Sequence, residues 1–189
     1  MVTLAAAGLM SATPAASADF YQGKTINLVI GYSVGGGYDL YARVLGKYLG
    51  KHIPGNPTVV PQNMVGAGSL RAANYLYSVA AKDGMVIGTF SRSVAIAPLI
   101  SSAQFDALTL ATPVLARPFA APPRMPVDRK AIIRKAFDDT MNDPEFRAKA
   151  SKLGLDVNPI SGSSIDALLK DIYETPKDIV AKVAKAIAE

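Results

Sequence analysis

The fold is decided by residues 25–40, which read TINLVIGYSVGGGYDL. The first six residues are mostly apolar and β-branched, which predicts a short buried strand. Residues 31–37 are rich in glycine and predict a loop. From Asp39 onward the apolar residues recur at helical spacing, which predicts a helix. A strand, a glycine loop and a helix in this order are typical of one unit of a parallel α/β sheet.

The same order recurs further along the chain. Residues 58–60 predict a second strand, 63–69 a second glycine loop and 70–80 a second helix, and residues 85–90 predict a third strand. This alternation predicts a parallel sheet with right-handed crossovers and flanking helices. The rest of the chain predicts a strand over 114–120, helices over 127–141 and 145–153, a short strand over 155–157, and two further helices beginning at Ser161 and Thr175.

The composition excludes several kinds of site. The 189 residues contain no cysteine and one histidine, His52, which excludes a disulfide framework, a cysteine nucleophile, a thiolate metal site and a histidine-rich metal site. The net charge is +5, but the basic residues are scattered, so no nucleic-acid partner is expected. The glycine loops lack the lysine of a P-loop and the G-x-G-x-x-G spacing of a dinucleotide site, so no cofactor is expected either.

The N-terminal segment predicts export. Residues 1–18 carry no charge, residues 2–10 are apolar, and Ala16-Ser17-Ala18 fits the small-residue rule for signal peptidase. We therefore expect a secretory signal peptide and an exported mature protein. Because no basic residue precedes the apolar run, either the true start lies upstream of Met1, which we expect, or the segment is not a signal. No other run approaches the roughly 18 apolar residues of a membrane span, so no direct membrane insertion is expected.

The loops that follow the three strands are the candidate functional region, because open parallel sheets bind ligands outside the carboxyl ends of their strands. Spacing alone leaves two interpretations open. In the first, the glycine loops turn so that the N–H groups of a helix start attract a carboxylate or phosphate. In the second, they are tight turns packed on their neighbours. Arg92, after the third strand, could pair with a carboxylate as a fork.

Catalysis has less support. Ser33 and Ser91 could serve as the nucleophile of a small serine hydrolase, but neither lies in a G-x-S-x-G elbow. His52 is expected at the far end of the first helix, away from both serines. The sequence therefore does not predict an enzyme.

Several motifs together carry a family resemblance. They are residues 20–26 and 35–43, the loop 63–69, Lys82-Asp83-Gly84, and, in the C-terminal part, residues 117–123, 143–146 and Thr175-Pro176. They resemble the substrate-binding receptors of tripartite tricarboxylate transporters, the periplasmic proteins of the Bug or TctC type. The resemblance covers nearly all of residues 19–189.

This resemblance implies a type II periplasmic-binding-protein fold, in which two lobes close on a small organic carboxylate. The ligand would be a di- or tricarboxylate or an aromatic acid, delivered to the permease subunits of a tripartite transporter. The resemblance also implies a set of ligand-binding residues, namely Tyr32, Ser33, Gly36, Gly37, Tyr38, Asp39, Gly66, Ala67, Gly68, Ser91 and Arg92.

The length departs from this family. Two lobes need roughly 250–300 residues, whereas about 170 follow the expected signal. We therefore expect a signal peptide over 1–18, the N-terminal part of lobe 1 over 19–106, a deletion junction over 107–113, and a C-terminal strand and helices that pack on lobe 1 over 114–189. The second lobe would be largely missing, and the alternative is a non-functional remnant of such a receptor.

Overall fold

The computed structural model of the protein describes residues 20–100 and 117–188. The expected signal peptide, residues 1–18, and the expected deletion junction, residues 107–113, lie outside the described residues. The proposed division of the chain at these positions therefore stays a prediction.

Four strands form one sheet within the described residues. Strands β1 (Thr25–Ile30), β2 (Thr58–Asn63), β3 (Val86–Thr89) and β4 (Phe119–Ala120) lie in the order β2-β1-β3-β4. Strand β1 is parallel to both β2 and β3, which confirms the parallel sheet predicted from the alternating pattern. Strand β4 instead runs antiparallel to β3, because the chain returns along β3 with Phe119 opposite Thr89 and Ala120 opposite Gly88.

Helices flank the sheet, and most lie where the periodicity predicts them. Helix α2 (Leu70–Asn74) is short and continues as a π-helical turn over Tyr75–Val79, and 3₁₀ turns occupy Gly50–His52, Ala67–Ser69 and Arg92–Ile96. The α-helices are α1 (Gly37–Leu49), α2 (Leu70–Asn74), α3 (Ala97–Ile100), α4 (Val127–Asn142), α5 (Pro144–Lys152), α6 (Gly162–Tyr173) and α7 (Lys177–Ala188).

The expected strand over 155–157 is wrong. Residues 155–160 have no regular secondary structure and pair with no strand of the described sheet. The apolar side chains of Leu155 and Val157 instead pack against the core on the α1 side of the sheet. Their hydrophobicity reflects this packing, which a short apolar run does not distinguish from strand pairing.

The two faces of the sheet bury separate cores, as the alternation of side chains along a strand requires. One face of β1, with Ile26, Leu28 and Ile30, packs against α1, α4 and α5. The other face, with Val29 and Val86, packs mainly against α2. In α1, Leu45 and Leu49 are almost completely buried, and burial of such a side chain contributes about 2 kcal/mol. This burial fixes α1 on the sheet and so fixes the position of its first turn.

An ion cluster around the buried Asp143 joins the 3₁₀ turn after α1 to α5. Asp143 is the N-cap of α5, where its Oδ1 accepts hydrogen bonds from the backbone N–H groups of Glu145 (2.8 Å) and Phe146 (3.3 Å). Its Oδ2 forms an ion pair with Lys51 and lies 2.8 Å from Nε2 of His52. The hydrogen bond from Lys51, followed by those from His52 and the two backbone amides, outweighs burial and lowers the pKa of Asp143 well below its usual range. The lone histidine is therefore a structural partner of a helix cap.

Candidate functional site

The carboxyl ends of β1, β2 and β3 meet at one edge of the sheet. The register places Ile30 beside both Asn63 and Thr89, so the loops that follow the three strands begin at the same level. We call the surface formed by residues 31–37, 64–69 and 90–92 the loop edge. This is the edge at which parallel sheets bind ligands, and every residue of the predicted binding set lies on it or in the first turn of α1.

Helix α1 begins at the loop edge without a side-chain cap. Its N-cap residue, Gly36, has an extended backbone (φ −76°, ψ 167°) and no side chain that could accept a hydrogen bond from the first turn. Both Gly36 and Gly37 are exposed. The first N–H groups of a helix have no intrahelical acceptor, and they carry the positive end of the helix dipole. The start of α1 therefore presents hydrogen-bond donors that suit an anion.

Asp39 organises the loop in front of this helix start. Its side chain is 3% exposed, and Oδ2 accepts a hydrogen bond from the N–H of Gly35 at 2.9 Å. Both carboxylate oxygens lie 2.9 Å from Nε of Arg43, one turn along the same helix. The carboxylate therefore makes its hydrogen bonds within the protein, and its bond to Gly35 fixes the backbone of the first glycine loop.

Asn63 connects this carboxylate to the neighbouring strand. Its Nδ2 donates to Oδ1 of Asp39 and to the carbonyl oxygen of Tyr32, both at 2.8 Å. Its Oδ1 accepts from Nη2 of Arg43 at 2.8 Å. The two ends of the first glycine loop, the start of α1 and the end of β2 are therefore held by one closed network.

The network also sets the charge state of Asp39. Burial raises the pKa of this carboxyl, but the hydrogen bonds from Arg43, Gly35 and Asn63 and the charge of Arg43 outweigh burial. The pKa falls from 3.8 to about 2. Asp39 is consequently ionised at neutral pH, and its negative charge is compensated by the guanidinium beside it.

The second glycine loop has an unusual backbone. Four consecutive residues have positive φ angles: Gly66 (148°), Ala67 (46°), Gly68 (58°) and Ser69 (79°). A left-handed conformation costs a non-glycine residue about 1–2 kcal/mol, and both Ala67 and Ser69 adopt it. Such strain is often found at functional sites. The result is a protruding turn with Ala67 and Gly68 exposed beside the first loop.

Tyr38 links the first loop to the third. Its ring is stacked on that of Tyr32, with the centroids 4.3 Å apart and the planes at 17°. Its hydroxyl oxygen accepts a hydrogen bond from the backbone N–H of Arg92 at 3.3 Å. Ser91 caps the following 3₁₀ turn by accepting from the N–H of Ser93, while Arg92 is exposed. The two stacked and half-buried tyrosine rings therefore connect the first glycine loop to the loop that follows β3.

Comparisons with known proteins point to one group. No family model matches the chain. A curated relative, the UPF0065 protein in the gbd 5′ region of Cupriavidus necator, is 35% identical over 102 residues, which are 54% of this chain and 30% of the relative. The structure of the periplasmic binding protein BugD superposes with a TM-score of 0.69 at 13% identity, covering 89% of this chain and 98% of that one. A TctC solute-binding protein from Polaromonas gives a TM-score of 0.70 at 10% identity, covering 86% and 99%.

The chain has the fold of the Bug and TctC solute-binding proteins. The resemblance indicated by the sequence motifs is therefore confirmed, and so is the periplasmic-binding-protein-like fold. The aligned segment spans less than a third of the length of the curated relative.

The predicted site residues differ in how far they reach the surface of this fold. Ser33, Gly36, Gly37, Ala67, Gly68 and Arg92 are exposed, Tyr32, Tyr38, Gly66 and Ser91 are half-buried, and Asp39 is buried. Within residues 20–100 and 117–188, no group of three or more acidic or histidine side chains could hold a metal ion. In the same part of the chain no helix combines the length and hydrophobicity of a membrane span.

Three residues that fix the structure of the loop edge were not among the site residues predicted from the sequence. Arg43 and Asn63 complete the network around Asp39, and Ser69 is buried between the two glycine loops. Asn63 was recognisable as a polar residue at the carboxyl end of a strand, and Arg43 lies one helical turn from Asp39. No local sequence pattern indicated the role of Ser69, because this role depends on its contact with Gly31.

Proposed function

We propose that the protein is a periplasmic solute-binding receptor that holds a small organic carboxylate at the loop edge. The observation that carries this proposal is the uncapped start of α1 beside the protruding second glycine loop. A carboxylate placed there would accept hydrogen bonds from backbone N–H groups and gain from the helix dipole. The ligand would be a di- or tricarboxylate or an aromatic acid.

The ionised side chain of Asp39 does not oppose this role. It is buried beneath the loop, and its charge is paired with Arg43 and satisfied by Asn63 and the N–H of Gly35. We propose that Asp39 positions the glycine loop and that the residues in direct contact with ligand are the exposed ones, in particular Gly36, Gly37 and Gly68.

Delivery to the permease of a tripartite transporter is the second part of the proposal. It rests on the fold shared with Bug and TctC proteins and on the motifs in the first glycine loop. In this role the protein carries the carboxylate through the periplasm and performs no chemistry on it.

A non-functional remnant of such a receptor is the competing proposal. It is favoured by the length of the match, because the aligned part covers only 30% of the curated relative. Ligand pockets usually bury 70–90% of the surface of the ligand. A single wall of a cleft would bury a smaller share. A remnant would fold around the same sheet but would not bind carboxylates.

Thermal shift measurements with succinate, citrate and their uncharged amides distinguish the two proposals. A receptor should be stabilised increasingly, on a logarithmic scale, as the carboxylate concentration rises above its Kd, and the matched amide should give a much smaller shift. Isothermal titration with the best carboxylate then gives the stoichiometry. A cooperative melt that no carboxylate shifts would contradict the receptor proposal for this chain and support the remnant.

A further inference from the structure

A cavity lies beside α1, and Arg117 at this cavity reaches the first turn of the helix. It is bounded by α1, β4, α4, α5 and residues 156–159, and its volume is about 240 Å³. We call it the Arg117 cavity. Its walls are mainly apolar, with Leu45, Phe119, Phe137, Met141 and Phe146, and Arg117 and Tyr41 supply polar atoms.

Arg117 is held in place by aromatic and backbone contacts. Its guanidinium carbon lies 4.0 Å from the centroid of the Tyr41 ring and 5.7 Å from that of Tyr38. A methyl group added at Gly37 would lie 3.3 Å from Nη2 of Arg117, so glycine lets the guanidinium lie close along the first turn of α1. Tyr41 is fixed in turn, because its hydroxyl donates to the carbonyl oxygen of Asp156 at 3.0 Å.

The charge of Arg117 has no carboxylate partner among the described residues. Its Nε is buried without a hydrogen-bond acceptor in this part of the chain. Asp156, the acidic residue at the cavity, is exposed and uses its backbone oxygen, while its carboxylate forms no ion pair with Arg117 within the described residues. A guanidinium is built to bind a carboxylate with two parallel hydrogen bonds, and a buried donor left unsatisfied is costly.

We propose that the Arg117 cavity binds a small monocarboxylate with an apolar body, of the benzoate type. The carboxylate pairs with Arg117 at the rim, and the ring lies among Leu45, Phe137 and Phe146. The volume is below the roughly 300–1,000 Å³ of pockets for drug-sized ligands, so the acid carries about one ring. No residue that lines the cavity belongs to the loop edge, but Arg117 reaches Gly37, so the two sites adjoin and are distinguished by which amides respond to the ligand.

Amide chemical shifts of the ¹⁵N-labelled protein, titrated with benzoate, benzamide and benzylamine, test the proposal. Benzoate should perturb the amides of Tyr41, Phe119 and Val157 in a saturable manner, and benzamide and benzylamine should bind at least about tenfold more weakly, since a hydrogen bond to a charged group is lost. Perturbations confined to residues 33–37 and 66–68, or equal affinity for benzamide, would overturn the assignment.

Arg117→Gln is the matching variant, with Arg124→Gln as its control because Arg124 is exposed and does not line the cavity. We expect the benzoate affinity to fall at least about tenfold in Arg117→Gln and to be unchanged in Arg124→Gln. Arg117→Lys keeps the charge but lacks the planar fork, so its benzoate affinity should lie between those of the wild type and Arg117→Gln. It is the test variant if Arg117→Gln does not fold. Unchanged benzoate affinity in a folded Arg117 variant would overturn the proposal.

Discussion

The hydroxyl of Ser69 donates a hydrogen bond to the carbonyl oxygen of Gly31 at 3.1 Å, and the two residues are in such close contact that only glycine fits at position 31. A methyl group added at Gly31 would lie 2.7 Å from both Cβ and Oγ of Ser69. Ser69 is buried and has a left-handed backbone. This contact fixes the second glycine loop against the first.

Gly31→Ala should therefore destabilise the protein through a steric clash. We expect the free energy of unfolding to fall by about 1–3 kcal/mol, the usual cost of overpacking a tight site. Ser69→Gly should recover part of this loss in the double variant, because it removes the clashing side chain and suits the positive φ. Gly36→Ala is the matched control, since its nearest contact would be an ordinary 3.7 Å. Chemical denaturation gives the free energy of unfolding of the wild type and of these four variants, and additive effects of the two substitutions in the double variant would contradict the contact.

Asp39→Asn should change stability in a pH-dependent way. The pKa of Asp39 is about 2 in the folded protein, below its ordinary 3.8, so the ionised carboxylate stabilises the fold at any pH above about 4. This contribution is about 2 kcal/mol at pH 7. It should disappear as the pH falls from about 4 to about 2, because the carboxylate becomes protonated in both states.

Urea denaturation of the wild type and of Asp39→Asn at several pH values checks this expectation. Asp178→Asn is the control, because Asp178 is in an exposed ion pair, 3.6 Å from Lys182, and such pairs contribute little. A difference between wild type and Asp39→Asn that stays constant down to pH 2 would show that the charge of Asp39 is not what stabilises the loop.

Substitutions of Asp143 should separate two contributions to the stability of the protein, the N-cap of α5 and the interactions with Lys51 and His52. Asparagine is also a good N-cap, so Asp143→Asn should lose mainly the interactions with Lys51 and His52. Asp143→Ala loses the cap as well and should be less stable than Asp143→Asn by about 1 kcal/mol. Thermal unfolding at neutral pH gives the order, and equal stability of the two variants would argue against the cap.

Much of the fold was predictable because it is encoded locally. The apolar run 25–30, the glycine loop and the helical spacing after Asp39 all lie within residues 25–49, and each is confirmed. The direction of β4 was not predictable, because a two-residue strand carries no periodicity of its own. Its orientation follows from its pairing with Gly88 and Thr89, about thirty residues earlier in the chain.

The candidate site was predictable in position but not in detail. The rule that ligands bind beyond the carboxyl ends of parallel strands placed the three loops together. The burial of Asp39 could not be read from the sequence, because it depends on Asn63, 24 residues away. The pairing of His52 with Asp143 spans 91 residues, and no local pattern around a lone histidine indicates such a partner.

Tyr21→Phe should stabilise the protein. The hydroxyl of Tyr21 is buried and has no hydrogen-bond partner among the described residues, and burial raises its pKa to about 12. Removing an unsatisfied buried hydroxyl should raise the free energy of unfolding by about 1 kcal/mol. Tyr41→Phe is the control with the opposite sign, because that hydroxyl donates to Asp156. A destabilised Tyr21→Phe would indicate that the hydroxyl is satisfied in solution.

Gly36→Asp should separate folding from carboxylate binding at the loop edge. Aspartate is a favourable N-cap, and its charge suits the positive end of α1, so the melting temperature without ligand should be unchanged or higher. The new carboxylate would occupy the N–H groups proposed to hold the ligand and would repel an anion.

The thermal shift produced by succinate or citrate should therefore be lost in Gly36→Asp and retained in Gly36→Ala, which leaves the start of α1 uncapped. If Gly36→Asp responded to dicarboxylates as the wild type does, the ligand would not bind at the start of α1. The glycine loops would then be tight turns, the second of the two interpretations that their spacing left open.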